Sequence, residues 1–245
     1  MLATKASPFR SVLLDIEGTT SPISFVYQTL FPYARKRLRS FLHEHSSDPA
    51  VTSVFEELKS VNLNDVPEGA PAISGRDLLQ EITNYLLWLM DHDRKTAPLK
   101  VLQGLIWEQG FRRDELQSEV FDDVPACLHE WHEAGLQIAI YSSGSVLAQK
   151  MVFRYTPYGD LTNLISGYFD TGVGSKKQPQ SYQRIVADLQ VAAEQVMFVS
   201  DIAEELEAAR TAGLGTALSI RPGNQAQNGA AKYQTIHSLA DLFSS

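Results

Sequence analysis

A chain of 245 residues, 44% hydrophobic and 20% charged, has the make-up of an ordinary globular enzyme and excludes a disordered chain. Its length suits one large domain, or a core domain with an insert. A net charge of −8 and a pI near 5.2 leave no overall basic footprint for nucleic acid.

Residues 1–10 are polar and lead straight into an apolar run at 12–14, which is too short for a signal-peptide core. That run, Val12-Leu13-Leu14, has the near-continuous apolar character of a buried strand. It ends in Asp15-Ile16-Glu17-Gly18-Thr19-Thr20: two carboxylates one residue apart, then a glycine and two hydroxyls. An acid at the C-terminal end of such a strand sits at the mouth of an open α/β sheet, where ligands bind. Two acids there repel unless a cation or a phosphoryl centre offsets them. The plainer reading is a solvated turn that holds two acids.

From residue 24 to about 116 the apolar spacing is helical. Phe25, Leu30, Tyr33, Leu38, Phe41 and Leu42 recur at helical intervals, interrupted by Pro32. Val51, Val54, Phe55 and Leu58 form a second set; Leu78, Ile82, Tyr85, Leu86 and Leu89 a third; Leu102, Leu105, Ile106 and Gln109 a fourth. The breaks at 46–49, 66–75 and 91–98 carry turn residues. With no strand between them, these stretches predict an all-α bundle. The longest apolar-rich run, residues 85–90, is far too short to span a bilayer.

After residue 116 strands and helices alternate. The pattern predicts helices over 124–134, 146–155, 179–189 and 203–212, strands over 136–141, 164–169, 196–199 and 216–220, and a last helical turn at 239–243. Gly135 and Gly213 stand where helices should stop. Such alternation implies a doubly wound parallel sheet, which the strand at 12–14 most simply joins. The expected fold is therefore α/β, with a core of residues 1–22 and 117–245 and an inserted helical domain over 23–116. The single cysteine, Cys127, makes no intrachain disulfide and demands no oxidising compartment. The expectation is a cytoplasmic monomer with no nucleic-acid or membrane partner.

Polar groups follow the predicted strands. Asp15 and Glu17 follow the first, Ser142-Ser143-Gly144 the strand ending at Tyr141, and Ser200-Asp201 the strand ending at Val199; Gly174-Ser175-Lys176-Lys177 precedes a helix opened by Pro179. Taken singly, the serines read as an N-cap and turn, the lysines as a solvated pair, and Asp201 as a helix cap. Together they fall where a parallel sheet builds its site. Three acids suit one hard cation such as Mg2+. A serine hydroxyl and helix-start amides suit phosphate oxygens, and a lysine supplies a point charge for them. A carboxylate in that setting can attack phosphorus.

In order, Asp15-Ile16-Glu17-Gly18-Thr19, Ser142, Lys176, and Asp201 with Glu205 resemble the motifs of the haloacid-dehalogenase-like superfamily, whose Rossmann-like core carries a cap inserted after the first motif. A narrower resemblance, to the enolase-phosphatase (acireductone synthase) family, rests on Glu17 where most members carry Asp, on Thr20-Ser21-Pro22-Ile23, Tyr141-Ser142-Ser143-Gly144-Ser145, Val173-Gly174-Ser175-Lys176, Ser181-Tyr182, and Arg221-Pro222-Gly223-Asn224. It implies enolisation and then dephosphorylation of 2,3-diketo-5-methylthiopentyl-1-phosphate, yielding the acireductone and phosphate in methionine salvage. It also implies Mg2+ on Asp15, Glu17 and Asp201, substrate on Ser142, Ser143 and Lys176, and catalytic roles for Asp15, Glu17 and Lys176. Lys177 departs from the apolar residue expected there, and the Gly174-x-Lys176 spacing favours Lys176 as the lysine that faces the site. Glu205 is expected to steady Lys176. Phe25, Tyr27, Trp88 and Trp107 are candidates for the methylthio tail, against a plainer role in packing. The alternative activity is that of another phosphatase of the superfamily, acting on a sugar or nucleotide phosphate. A receiver-like signalling domain would put its acceptor aspartate on a middle strand and has no place for a helical insert.

Overall fold

The computed structural model describes residues 8–64, 67–94 and 96–243. Residues 1–7, together with Val66 and Lys95 of the predicted breaks, lie outside them. The described residues divide into two compact units, one falling within 1–26 and 117–245 and the other within 27–116.

The first unit is built on a six-stranded sheet, all of whose pairings are parallel. Its strands are β1 (Ser11–Leu14), β2 (Gln137–Tyr141), β3 (Gly167–Phe169), β4 (Val196–Ser200), β5 (Gly215–Ser219) and β6 (Gln234–Ile236), in the order β3-β2-β1-β4-β5-β6. β1 lies at the centre, pairing with β2 on one side and β4 on the other. The chain builds outward through β2 and β3, then returns to the other side of β1 to lay down β4, so strand order reverses between β1 and β4. A doubly wound sheet opens its ligand crevice beyond the carboxyl ends of the strands at such a reversal.

The apolar runs explain the burial. Val12, Leu13, Leu14, Ile138, Ala139, Ile140, Val196, Phe198 and Val199 are wholly buried, because helices cover both faces of a parallel sheet. Those helices are α5 (Asp123–Glu133), α6 (Val146–Arg154), α7 (Pro179–Leu189) and α8 (Ala203–Thr211) in this unit. Gly135 and Gly213 take positive φ one residue past the caps of α5 and α8, the left-handed turn that ends a helix.

Three details differ from the pattern. The strand expected over 164–169 is a 3-10 turn, Thr162–Leu164, followed by only three strand residues. β5 is not the last strand: β6 adds an edge whose residues Gln234 and Thr235 are exposed and only Ile236 is buried, too short and too polar for periodicity to reveal. The final helical turn is a 3-10 turn, Leu239–Asp241.

The regular structure of the second unit's described residues is helical: α1 (Phe31–His45), α2 (Pro49–Asn64), α3 (Leu78–Asp91) and α4 (Ala97–Arg112). A six-residue π-helix, Phe25–Leu30, leads into α1. Pro32 has no amide hydrogen, so the backbone hydrogen-bond register changes there, which is the interruption visible in the spacing. The bundle core holds Leu38, Phe41 and Leu42 of α1, Val54 and Leu58 of α2, Ile82, Tyr85, Leu86 and Leu89 of α3, and Leu102 and Ile106 of α4. Tyr33, Leu105 and Gln109 are only half-buried. Among the described residues no helix is long and apolar enough to cross a membrane.

Candidate active site

Asp15 follows the last residue of β1, and its amide still donates to Val199 of β4 (3.0 Å), so the ladder holds its backbone. The chain then coils tightly. The amides of Thr19, Thr20 and Ser21 all donate to the Ile16 carbonyl at 2.8–3.1 Å, and Thr20 Oγ1 donates back to the Asp15 carbonyl at 3.0 Å. The Thr20 hydroxyl thus satisfies the turn from within, while Ser21 Oγ ties it to the Glu119 carbonyl at 2.6 Å. Gly18 has φ +76°, and a β-carbon on it would stand 2.6 Å from Asp201 Oδ2. Only glycine supplies both that backbone and that clearance.

Asp201 follows β4, the neighbour of β1, so both acids stand at the reversal of strand order. Asp201 does not cap α8: Ile202 is the N-cap, and the Ile202 amide donates to Ser200 Oγ (3.1 Å).

Lys176 arrives from the loop after β3. Its ammonium forms an ion pair with Asp15 Oδ1 and another with Glu205 Oε2 at 2.7 Å. Glu205 also accepts from Ser200 Oγ at 2.8 Å. Glu205 therefore does steady Lys176. Asp15 and Lys176 are 3% and 8% exposed, so this is a desolvated cluster rather than a surface pair. The backbone of Lys176 is held from behind by buried tyrosines. Tyr182 Oη donates to the Lys176 carbonyl at 2.6 Å, and Tyr141 Oη donates to the Gly174 carbonyl at 3.0 Å. The two rings meet edge to face at 5.5 Å. Lys177, by contrast, is exposed and pairs with Glu204.

Ser142 follows β2, is buried, and its Oγ accepts from the Gly144 amide at 3.2 Å. Ser143 is half-buried beside it. Ser145 caps α6, accepting from the Ala148 amide at 3.3 Å, so the capping reading is right for this third serine. Sequence reasoning missed Gln149. It is 1% exposed, and its Nε2 donates to Gly144 O and to Phe169 O, both at 2.8 Å, which ties the serine turn to the end of β3. Its place one turn after the cap was the only available signal.

Burial is the main influence on the Asp15 carboxyl, raising its pKa well above the ordinary value; Lys176 opposes this, while Glu205, Glu17 and Asp201 add to it. Burial, then Glu205, push Asp201 up to about 6, with Lys176 opposing. Burial alone would lower Lys176, but Asp15 and Glu205 hold it above the ordinary lysine value. Three further carboxylates thus act on Asp15 beside a single buried ammonium. A hard cation is the partner such an oxygen donor set lacks, so the residues present fit Mg2+. Among the described residues no three His, Cys, Asp or Glu side chains already stand as a preformed metal cluster; the cation that Asp15 meets is Lys176.

The aromatic candidates divide. Phe25 and Trp107 are buried, and Trp107 Nε1 donates to the Leu30 carbonyl at 2.8 Å, a packing role. Trp88 stacks on His92 with centroids 4.2 Å apart. Tyr27 is exposed and lines a cleft of about 290 Å³ within the helical unit, with Phe31, Arg35, Leu89, Met90 and Leu99.

This combination of sheet and site has a family. Residues 9–213 match the model of the haloacid dehalogenase-like hydrolases, and the chain belongs to that family. The chain is 47% identical to the enolase-phosphatase E1 of Synechococcus elongatus, covering 95% of this chain and 97% of that protein. The enolase-phosphatase E1 of Drosophila persimilis is 45% identical, over 91% of this chain and 89% of the relative. Within the hydrolases, the chain is thus a member of the enolase-phosphatases. The crystal structure of the UTR4 protein of Saccharomyces cerevisiae superposes with a TM-score of 0.77 at 33% identity, covering 94% of this chain and 98% of that one.

Proposed function

We propose that this chain is a Mg2+-dependent enolase-phosphatase of methionine salvage, turning 2,3-diketo-5-methylthiopentyl-1-phosphate into the acireductone 1,2-dihydroxy-3-keto-5-methylthiopentene and phosphate. The observation that carries the chemistry is the buried Lys176 ammonium held between Asp15 and Glu205 at the reversal of the sheet.

A nucleophilic aspartate must be ionised. Burial works against that, and the Lys176 ammonium opposes it. Asp15, Glu17 and Asp201 would hold Mg2+. When bound, the ion supplies the charge that phosphoryl and enolate oxygens need. Ser142, Ser143 and the adjoining amides bind phosphate oxygens, and Lys176 shares its charge with them. An Asp15 carboxylate oxygen attacks phosphorus as the bond from phosphorus to the enol oxygen breaks, and water then cleaves the aspartyl phosphate. Glu17, one methylene longer than the usual aspartate, also carries the proton for the leaving oxygen. The helical unit serves as the inserted cap domain that selects the substrate, and the protein acts as a cytoplasmic monomer.

The test is an assay of the diketone phosphate with and without Mg2+, following phosphate and enol absorbance together. Asp15→Asn should lower phosphate release by at least about a thousandfold. Near-normal turnover would end the nucleophile assignment. Phosphate release without an enol signal or solvent-proton exchange would end the two-step reading, and preference for a sugar or nucleotide phosphate would replace the substrate.

A further inference from the structure

The loop after β5 places an amide oxygen where the cation reading needs one. Asn224 Nδ2 donates to Gly18 O at 2.9 Å and to Ser219 O at 3.2 Å. Those two carbonyls set the orientation of the amide, since a flipped group would face both with its own oxygen. Asn224 Oδ1 is therefore turned the other way, where it is buried and meets no donor among the described residues. Its surroundings are defined by Gly18: the point where a β-carbon would stand lies 2.8 Å from Asn224 Oδ1 and 2.6 Å from Asp201 Oδ2. Two acceptor oxygens face the Gly18 α-hydrogen that points there, and Asn224 Oδ1 has no N–H or O–H partner among the described residues. A buried acceptor left without a donor is unfavourable, and a second acceptor beside it makes matters worse.

We propose that Asn224 is a further donor of the cation site, its Oδ1 serving a hydrated divalent ion together with Asp201; this rests on the Mg2+ reading above. The choice of residue has an electrostatic reason. Glu17, Asp201 and Glu205 already act against negative charge on Asp15. An amide adds an oxygen without adding charge, and its nitrogen ties down the Gly18 turn at the same time. Asn224 is accordingly a positioning residue that acts through the ion and touches no reacting atom.

The test is calorimetric titration of the full chain with Mg2+ alone, without substrate. Asn224→Ala should weaken binding by about tenfold or more. Ser219→Ala is the matched control, because Ser219 Oγ also donates to Gly18 O (3.1 Å) but contributes no oxygen at the shared point. It should stay within about twofold of the parent, since it cuts a tether only. Asn224→Asp keeps an oxygen while turning its other oxygen on two carbonyls, so it separates the roles. It should bind Mg2+ at least as well as Asn224→Ala if the oxygen serves the ion, and worse if the amide only holds the loop. Thermal melts establish that each variant is folded. Unchanged affinity in Asn224→Ala, equal losses in Ser219→Ala and Asn224→Ala, or a weaker Asn224→Asp overturns the proposal and leaves the cation reading intact. No binding by the unsubstituted chain overturns both.

Discussion

Tyr182 Oη reaches the carbonyl of the residue whose ammonium neutralises Asp15, so one buried hydroxyl links the core of the sheet to the charge balance of the site. Tyr182→Phe should cost about 1–3 kcal/mol in urea unfolding, the loss of a buried carbonyl's partner, with no cavity left behind. It should also lower kcat more than KM for the diketone phosphate, because a displaced Lys176 weakens the charge on Asp15. Gly18 is the less tolerant neighbour. Gly18→Ala forces a β-carbon against Asp201 Oδ2 at positive φ, and should lower phosphate release by roughly a hundredfold while the sheet stays folded, a pairing that circular dichroism beside the assay would reveal. The acids at 15, 17 and 201 were legible as a group because each follows an apolar run. The choice between Lys176 and Lys177 rested on spacing alone, and in the fold one is buried against Asp15 while the other meets solvent.

At the scale of elements, the loop after β5 is latched to the start of α5. Arg221 donates from Nη1 and Nη2 to Asp123 at 3.0 and 2.8 Å, and from Nε to the Thr19 carbonyl at 3.3 Å. Asp123 also accepts from Ser238 Oγ at 2.9 Å and from the Leu239 amide. One fork-to-fork pair thus joins α5, the Gly18 turn and the C-terminal segment. Burial pushes the Asp123 pKa up, but Arg221, Leu239 and Ser238 together hold it below the ordinary aspartate value. A lowered folded pKa means that the stabilisation is complete above the unfolded value and fades as pH falls through the folded one. Asp123→Asn should therefore cost about 2 kcal/mol near neutrality. That difference should shrink as pH drops below about 4, as denaturation curves at several pH values would measure. An equal loss at every pH would show that the ionised carboxylate is not what matters. The tetrapeptide 221–224 was conspicuous in the sequence, but its physical work depends on acceptors about a hundred or two hundred positions away.

At the scale of the whole molecule, the α/β unit brings Asp15, Lys176 and Glu205 together from three distant parts of its chain. A cation that binds only the folded chain stabilises it by mass action, and at about a hundred times its Kd the gain is ~2.7 kcal/mol. For a chain of this size that corresponds to a rise in Tm of roughly 5–10 °C. Scanning calorimetry with saturating Mg2+ should show that rise in the parent and lose it in Asp15→Asn and Asp201→Asn. An undiminished rise in both variants would place the ion elsewhere. The main helices, the parallel sheet and the acids at the strand ends were determined by the sequence itself, because apolar periodicity and abrupt polar endings are local properties of the chain. Only the tertiary structure decided that Glu205 holds Lys176, that Gln149 and Tyr182 brace the loops, that β6 extends the sheet, and that an amide oxygen of Asn224 stands beside Asp201. Each of these is a contact whose partner or orientation is set by packing, and spacing along a chain carries no measure of distance across a fold.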